Sequence, residues 1–356
     1  MRATINFVGD VALFKESERR EMDPFDLIEL PDSDYNVANL EFPLSKKCIK
    51  NFYDVSSEYI VEYDYAKNIN FSKFDLYGLA NNHILDYGFE GIEATCDLID
   101  ESGSSYFGLS KSKEFNVYQK QINDVNFAFI AAVKNGRWNN GFGNIGPCII
   151  YKKELETTVT KLFSNKIFDH IIIYLHWGTE LVDAPIPEDV EFARSLIDGG
   201  ASCVIGHHPH VIQGLEEYNK GLIAYSLGSF IYLSEFEKGN YDKAKIRDMS
   251  MCLNIRFDKN SIATYRAFKY IRNTNQITPE LSSTFKNSPY FIRICEAIGD
   301  SKYYSSKVRT FLLKRELLSF VVRFKENPIR TINHYFSYIK FDHLRKVLGF
   351  ANEKEN

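Results

Sequence analysis

Short apolar runs rich in β-branched and aromatic residues alternate with helical segments from the N-terminus to about residue 232. This alternation is typical of a layered α/β domain, in which helices cover the faces of a sheet. The predicted strands are Thr4–Val8, Tyr35–Leu40, Phe74–Leu79, Phe127–Val133, Ile171–Leu175, Cys203–Ile205 and Leu222–Tyr225, followed by Met251–Phe257 and Ala263–Tyr270. The clearest predicted helices between them are Phe89–Glu101 and Glu188–Asp198.

The chain becomes helical, basic and aromatic after about residue 275. Between Lys302 and Phe350 there are eleven Lys and Arg against three Asp and Glu, a net charge of +8, although the whole chain carries −4. We therefore predict an α/β domain over residues 1–275 and a basic, aromatic-rich helical appendage over residues 276–356. The appendage is either a solvated helical face or a surface that contacts anionic lipid, and both interpretations stay open.

Cysteine usage and hydropathy bear on the compartment. The six cysteines form no C-x-x-C pair, which is typical of thiols in a reducing compartment. No leader with a basic start and an apolar middle precedes the first strand, and no apolar stretch reaches the roughly 18 residues of a spanning helix. We expect a cytoplasmic protein, and peripheral contact with the inner face of the membrane stays open as an alternative to a freely diffusing one. The net charge gives no reason to expect a nucleic-acid partner.

Polar motifs directly follow several of the predicted strands. Five of the eight histidines lie in Asn81-Asn82-His83, His176-Trp177-Gly178 and Gly206-His207-His208-Pro209-His210, and Gly9-Asp10 and Asn39-Leu40-Glu41 follow the first two strands. In α/β sheets, sites form outside the carboxyl ends of the strands, so we expect these side chains to meet. Carboxylate, amide and imidazole ligands together suit Mn, Fe or Zn.

Each of these residues also has a structural interpretation when it is taken alone. Asp10 could cap a helix, Glu41 could be a solvated loop carboxylate, and His176 could be a hydrogen-bonded core histidine. The three imidazoles between His207 and His210 are the hardest to explain structurally, because such a density of histidine has little use outside a metal or phosphate site.

The motifs, in this order and ending with Ser226-Leu227-Gly228-Ser229-Phe230, resemble the CapA family of poly-γ-glutamate capsule biosynthesis proteins. The resemblance covers about residues 1–232. That family looks like a divergent branch of the calcineurin-like metallophosphoesterases, so the resemblance implies a layered calcineurin-like sandwich that holds one or two divalent ions. The metal ligands that it implies are Asp10, Glu41, Asn82, His176, His208 and His210.

The resemblance also implies further roles. His83 is expected to donate a proton to the leaving group, and His207 is a second catalytic candidate or a residue behind the ligands. The predicted substrate contacts are Trp177, Glu180, Ser226 and Ser229. Two positions depart from the pattern: Ala12 stands where the parent motif has His, and Ser229 stands where the family usually has Asn.

Two functions of different classes remain open at this point. The first is a metal-dependent hydrolase, of the phosphoesterase type, that acts on a cell-envelope polymer or its phosphorylated precursor in capsule, polysaccharide or polyglutamate biosynthesis. The second is a non-catalytic CapA-like partner of a synthesis and export assembly, which the loss of an imidazole at Ala12 favours. Bound metal distinguishes the two, since a scaffold needs none.

Overall fold

The structure is a computed structural model, and it describes residues 2–13, 23–26, 28–42, 44–45, 61–112, 114–134, 145–232, 249–271, 280–285, 288–311 and 313. Its strands are β1 (Ala3–Ala12), β2 (Tyr35–Leu40), β3 (Leu44–Ser45), β4 (Val61–Glu62), β5 (Leu76–Gly78), β6 (Ser105–Phe107), β7 (Leu109–Ser110), β8 (Tyr118–Ile122), β9 (Val125–Val133), β10 (Gly146–Pro147), β11 (His170–His176), β12 (Cys203–His207), β13 (Leu215–Tyr218), β14 (Gly221–Ala224), β15 (Ser229–Tyr232), β16 (Met249–Asp258), β17 (Ser261–Ile271) and β18 (Glu280–Thr284). Its helices are α1 (Tyr63–Ala66), α2 (Gly88–Glu101), α3 (Lys152–Asn165), α4 (Pro187–Asp198) and α5 (Pro289–Glu296), with a 3₁₀ turn at Phe71–Lys73.

Two sheets form the centre of the fold. The first has the order β18-β17-β16-β1-β2-β5-β6, and β15 pairs with β1 as well. The second has the order β13-β14-β12-β11-β9-β8. The pairs β1–β2, β2–β5, β9–β11 and β11–β12 are all parallel. Within each sheet, therefore, the carboxyl ends of these strands lie along one edge.

Three apolar clusters define the layers. One contains Phe7 of the first sheet together with Phe129 and Ile205 of the second, so the two sheets pack face to face. The second cluster covers the other face of the first sheet with α2, and the third covers the other face of the second sheet with α3 and α4. Burial of apolar surface on both faces explains why β11 is an uninterrupted apolar run. The layered α/β sandwich predicted from the sequence is confirmed.

The strands and helices predicted from periodicity are present, with ends that differ by a few residues. The stretch after residue 275 is not helical throughout, because β18 pairs antiparallel with β17. Among the described helices, none combines the length and the apolarity that crossing a bilayer requires.

The chain divides into two compact units, Met1–Gly299 and Asp300–Asn356. The predicted domains, with their boundary after residue 275, stay a prediction; β18 and α5 lie within the first compact unit. In the second unit residues 301–311 are helical. Most of the predicted basic appendage beyond them lies outside the described residues.

Candidate metal centre

The predicted ligands are carried by strand ends and by the loops that follow them. Asp10 lies near the end of β1, Glu41 directly follows β2, and Asn82 belongs to the turn after β5. His176 is the last residue of β11, and its neighbour in the parallel ladder is His207, the last residue of β12. The structure therefore brings together motifs that are up to 200 residues apart, as the strand-end argument predicts.

The end of β1 is held by an unusually close approach of two backbone segments. The N-terminal half of β1 pairs with β16, whereas Asp10–Ala12 pair with β15. The amide of Asp10 donates to the carbonyl oxygen of Gly228 at 2.9 Å. A Cβ atom on Gly9 would lie 1.9 Å from that same oxygen. Only glycine fits at position 9, and this contact fixes Asp10 against the segment that precedes β15.

Both oxygens of the buried Asp10 carboxylate accept hydrogen bonds from the protein. Oδ1 lies 2.8 Å from Asn39 Nδ2 and 3.1 Å from His207 Nδ1. Oδ2 accepts from the backbone amide of His208 at 3.1 Å and lies 3.3 Å from His210 Nδ1. Asp10 thus connects β2 of the first sheet with the loop that follows β12 of the second sheet and carries His208 and His210, here called the histidine loop.

The carboxylate of Glu41 is the opposite case. It is fully buried, and neither of its oxygens has a hydrogen-bond partner in the part of the chain that the structure describes. Oε1 lies 3.4 Å from His176 Nε2 and 3.6 Å from His210 Nε2, and neither contact is a hydrogen bond. Nδ1 of the neighbouring His208 is also buried without a partner. Buried polar atoms are rarely left unpaired, so this arrangement points to a partner beyond the described side chains.

A divalent cation fits that requirement. Ligand atoms of Glu41, His176 and His208 lie within 4.8 Å of one another, and so do those of Asp10, Glu41 and His210. Glu41 is common to both groups. The oxygen of Asn82 lies 2.7 Å from His176 Nε2 and adds an amide oxygen to the first group. Carboxylate, amide and imidazole donors suit a borderline metal, whereas an alkali ion would be expected to be bound by oxygen alone.

Burial and mutual charge set the protonation of these side chains in the metal-free protein. Burial opposes ionisation of Asp10, yet hydrogen bonds from His207 and His210 hold its pKa well below the usual range. Burial raises the pKa of Glu41 to about 8. Burial also works against a charge on His210, but the carboxylates of Glu41 and Asp10 raise its pKa to about 9.

The two remaining imidazoles are held neutral. Burial lowers the pKa of His208 to about 3, and the nearby His176 and His210 add to the effect. Burial likewise places the pKa of His176 well below its usual value. Neutral imidazole is the form that binds a metal, so the group around Glu41, His176 and His208 is prepared for ligation.

His83 lies beside this centre in a hydrogen-bonded pair. Its Nδ1 is 2.7 Å from Oδ2 of Asp86, which is buried. Its backbone amide donates to Asn81 Oδ1 at 3.1 Å, and Asn81 Nδ2 donates to the carbonyl of Leu40 at 2.7 Å. Asn81 therefore holds the turn that carries His83 against the residue that precedes Glu41. Asp86 was not among the site residues predicted from the sequence; its spacing of three from His83 in one turn is the signal that was available.

Three of the four predicted substrate contacts are buried. Trp177 lies in the outer core with its indole Nε1 donating to the carbonyl of Tyr225 at 3.0 Å, and its contact with substrate stays a prediction. Ser226 is fully buried, and its Oγ accepts from the amide of Gly228. Ser229 Oγ lies 3.2 Å from His210 Nδ1, where it can support that imidazole.

Glu180 is the exposed member of that predicted set. The amide of the next residue, Leu181, donates to the carbonyl of Pro209 at 2.8 Å, which fixes the Glu180 loop against the histidine loop. The negative charge of Glu180 acts on the pKa values of Glu41 and His210. Glu180 therefore remains a candidate for contact with substrate.

Two candidate ligands have backbone angles that ordinary residues avoid. His208 has φ 93° and His210 has φ 58°. Residues in this region cost on the order of 1–3 kcal/mol each, and they persist where the surroundings impose them. Here the imposed conformation turns both imidazoles toward Glu41.

This combination of a two-sheet sandwich and a buried carboxylate–imidazole cluster at strand ends defines a protein built around a candidate divalent-metal centre. The profile of the family described as "Bacterial capsule synthesis protein PGA_cap" matches residues 4–233, and the chain belongs to that family. The CapA resemblance that the motifs predicted is confirmed.

Relatives with similar sequences carry the same description. The chain is 27% identical over 253 residues to the capsule biosynthesis protein CapA of Bacillus anthracis, covering 65% of this chain and 60% of that protein. It is 29% identical over 242 residues to the PGA biosynthesis protein CapA of Bacillus subtilis, covering 64% and 62%. The match thus spans less than two thirds of either relative.

Among solved structures, a phosphatase from Mycoplasma pneumoniae aligns over 82% of this chain and 97% of its own, with 12% identity and a TM-score of 0.46. That likeness is too distant to carry an inference about activity.

Proposed function

We propose that this protein is a metal-dependent hydrolase of the phosphoesterase type that acts in bacterial capsule or poly-γ-glutamate synthesis. One observation carries the proposal: the buried carboxylate of Glu41 has no hydrogen-bond partner among the described residues and lies beside the imidazoles of His176 and His208, which are held neutral. A purely structural carboxylate in this position would be expected to have donors, as Asp10 does. The biological setting is supported by the family and by the names of the two Bacillus relatives.

The residues divide into those that hold a cation and those that move a proton. Glu41, Asn82, His176 and His208 would hold one divalent ion, and Asp10, Glu41 and His210 offer a second position. When bound, such an ion supplies a Lewis acid that polarises a phosphoryl oxygen. Because Nδ1 of His83 is bonded to Asp86, proton transfer to a leaving oxygen falls to Nε2 of His83.

The substrate is proposed by class alone. A cell-envelope polymer or its phosphorylated precursor agrees with the family, and Glu180 is the exposed carboxylate placed to contact it. We also propose that the protein works at the inner face of the membrane.

The experiment begins with elemental analysis of protein purified without chelator, for Mn, Fe and Zn. Metal-loaded protein is then assayed against phosphomonoesters, phosphodiesters and poly-γ-glutamate. Glu41→Gln should lose both metal and turnover. Glu188→Gln makes the same change at an exposed position in the first turn of α4 and should keep both.

The results separate the two functional classes. A protein that binds metal and cleaves a phosphoester in a Glu41-dependent way supports the proposal. A protein that contains no metal and takes up none would refute it and favour the non-catalytic partner. Metal binding without turnover of any tested ester would refute the phosphoesterase assignment, and cleavage of poly-γ-glutamate in the same panel would assign the reaction to its amide bond.

A further inference from the structure

We infer that His207 is a positioning residue, which fixes the Asp10 carboxylate and through it the loop that carries His208 and His210. Sequence reasoning placed His207 among the catalytic candidates. The metal-binding consequence of this inference rests on the proposed function. The hydrogen bond itself does not.

His207 has no access to a substrate. It is 1% exposed, and its ring lies against that of Tyr174 with the centroids 4.2 Å apart, in the layer between the two sheets. Its backbone is fixed because it ends β12 and pairs with His176 in the parallel ladder. A side chain so enclosed acts through its neighbours, and its polar neighbour is Asp10.

The contact between them has a defined direction. Both oxygens of the Asp10 carboxylate accept from N–H groups, those of Asn39 and of the His208 backbone, so Nδ1–H of His207 is the donor to Oδ1 at 3.1 Å. Asn39 Nδ2 donates to the same oxygen at 2.8 Å. With Oδ1 held by two donors, the rotation of the carboxylate is set, and Oδ2 is directed at the amide of His208 and the imidazole of His210.

The histidine loop needs such a hold. His208 and His210 both have positive φ, a conformation that relaxes unless surrounding contacts impose it. Asp10 Oδ2 is bonded to the backbone of one of them and lies at ion-pair distance from the side chain of the other. If Asp10 rotated, both contacts would be lost together, and the imidazoles would leave Glu41.

The cost of keeping a histidine here supports a role beyond stability. With Nδ1 protonated, Nε2 is an acceptor, and it is buried without a partner among the described residues. An unsatisfied buried polar atom costs about 1–3 kcal/mol. An apolar ring of the same size would avoid that cost and could still pack against the ring of Tyr174. The imidazole is explained by the one thing that an apolar ring cannot do, which is to donate to Asp10.

The test compares three variants of the full chain. His207→Phe keeps a ring but removes the donor, and His207→Asn restores a donor at nearly the position of Nδ1. His170→Phe is the matched control, because His170 is also buried in the second sheet, stacks on Phe127 at 5.5 Å, and is hydrogen-bonded to Ser202 and to the carbonyl of Asp258. Chelator-treated proteins are titrated with Co²⁺, and affinity and the visible absorption spectrum are recorded.

Removing an outer-shell partner of a metal ligand typically weakens metal binding by about 10–100-fold. We expect that loss for His207→Phe, recovery to within a few fold for His207→Asn, and wild-type cobalt affinity for His170→Phe. Wild-type affinity and spectrum in His207→Phe would overturn the inference. An equal loss in His207→Asn would overturn it as well, because the defect would then follow ring packing and not the donor.

A readout without metal separates this inference from the proposed function. Ring ¹⁵N shifts of His207 in the metal-free protein should show protonated Nδ1, and Asp10→Asn should change them. If the wild-type protein binds no cobalt, the proposed function fails, and these shifts still decide whether His207 holds Asp10. Protonation at Nε2 alone would refute the hydrogen bond.

Discussion

The unpartnered carboxylate of Glu41 makes a quantitative prediction about stability. Glu41→Gln replaces a buried charged group by a neutral one of the same shape. The pKa of Glu41 is raised from 4.5 to about 8. Each unit of pKa displacement corresponds to about 1.4 kcal/mol, so the metal-free wild-type protein loses at most about 5 kcal/mol through this group as the pH rises.

The sign follows from the direction of the shift. Below pH 4.5 the carboxyl is protonated in the folded and the unfolded chain, and its contribution to stability is fully present. Between about 4.5 and 8 the unfolded chain releases the proton while the folded chain keeps it, so stability falls as the pH rises through this window. The glutamine variant lacks this group. It should therefore be the more stable of the two metal-free proteins at pH 8, and the difference should shrink at pH 5.

A bound cation should stabilise the wild-type protein and not the glutamine variant, and so should narrow the difference between them at pH 8. Ligand that binds only the folded state stabilises it by about 2.7 kcal/mol at one hundred times its dissociation constant. Wild-type and Glu41→Gln protein are unfolded in urea at pH 5 and pH 8, with chelator and with Mn²⁺. These experiments measure how the free energy of unfolding of each protein depends on pH and on the cation. Comparing the two proteins at each pH cancels the titration of the side chains that do not interact with Glu41; His210, whose pKa the Glu41 carboxylate raises, does not cancel.

Two results would refute this reasoning. A glutamine variant that is less stable than wild type in chelator at pH 8 would mean that Glu41 has stabilising partners in the metal-free protein. Equal stabilisation of both proteins by Mn²⁺ would mean that the cation binds elsewhere.

Three further predictions concern other parts of the chain. Ala12→His should raise metal occupancy at the position shared by Asp10 and His210, because residues 10 and 12 of a strand share a face. The variant should also lose about 1–3 kcal/mol of stability, because the larger side chain overpacks a fully buried site. Unchanged metal stoichiometry and affinity would contradict the assignment. His83→Ala should reduce turnover by ~10²–10⁴-fold with metal content unchanged, and Asp86→Asn should reduce it less, so a parallel loss of metal would reassign His83 as a ligand. The full chain should sediment with anionic vesicles at low salt, and a chain that ends before Lys302 should not. Each Lys or Arg near the vesicle surface contributes about 1 kcal/mol to binding, and salt screens this attraction. Equal sedimentation of the two chains would refute the membrane contact.

Sequence periodicity was sufficient for the fold because the buried strands are nearly continuous apolar runs. It was also sufficient to bring Asp10, Glu41 and His176 to one edge, since parallel strands deliver their carboxyl ends there. The antiparallel strands β8 and β13 were missed. β8 is largely exposed and β13 only partly buried, so neither leaves an apolar run to recognise.

The motifs do not predict the direction in which each side chain points. Neighbours in an extended chain point to opposite sides, so once His176 faces the centre, Trp177 must enter the outer core. The same alternation places Asn39 beside Asp10, two residues before Glu41, although Asn39 was not predicted as a site residue. A motif fixes which residue types follow a strand, but the register and the local turn decide which of them face the centre.

β1 pairs with β16 along its first half and with β15 at its end, and this arrangement has a consequence for biosynthesis. Asp10 leaves the ribosome more than 200 residues before the Gly228 carbonyl and β15 that hold it. Contacts of such long sequence separation form slowly, and the segments that await them stay exposed. A nascent chain shorter than about residue 232 therefore lacks the neighbour that orients its first carboxylate. Cation binding by this protein should begin only when synthesis has passed β15.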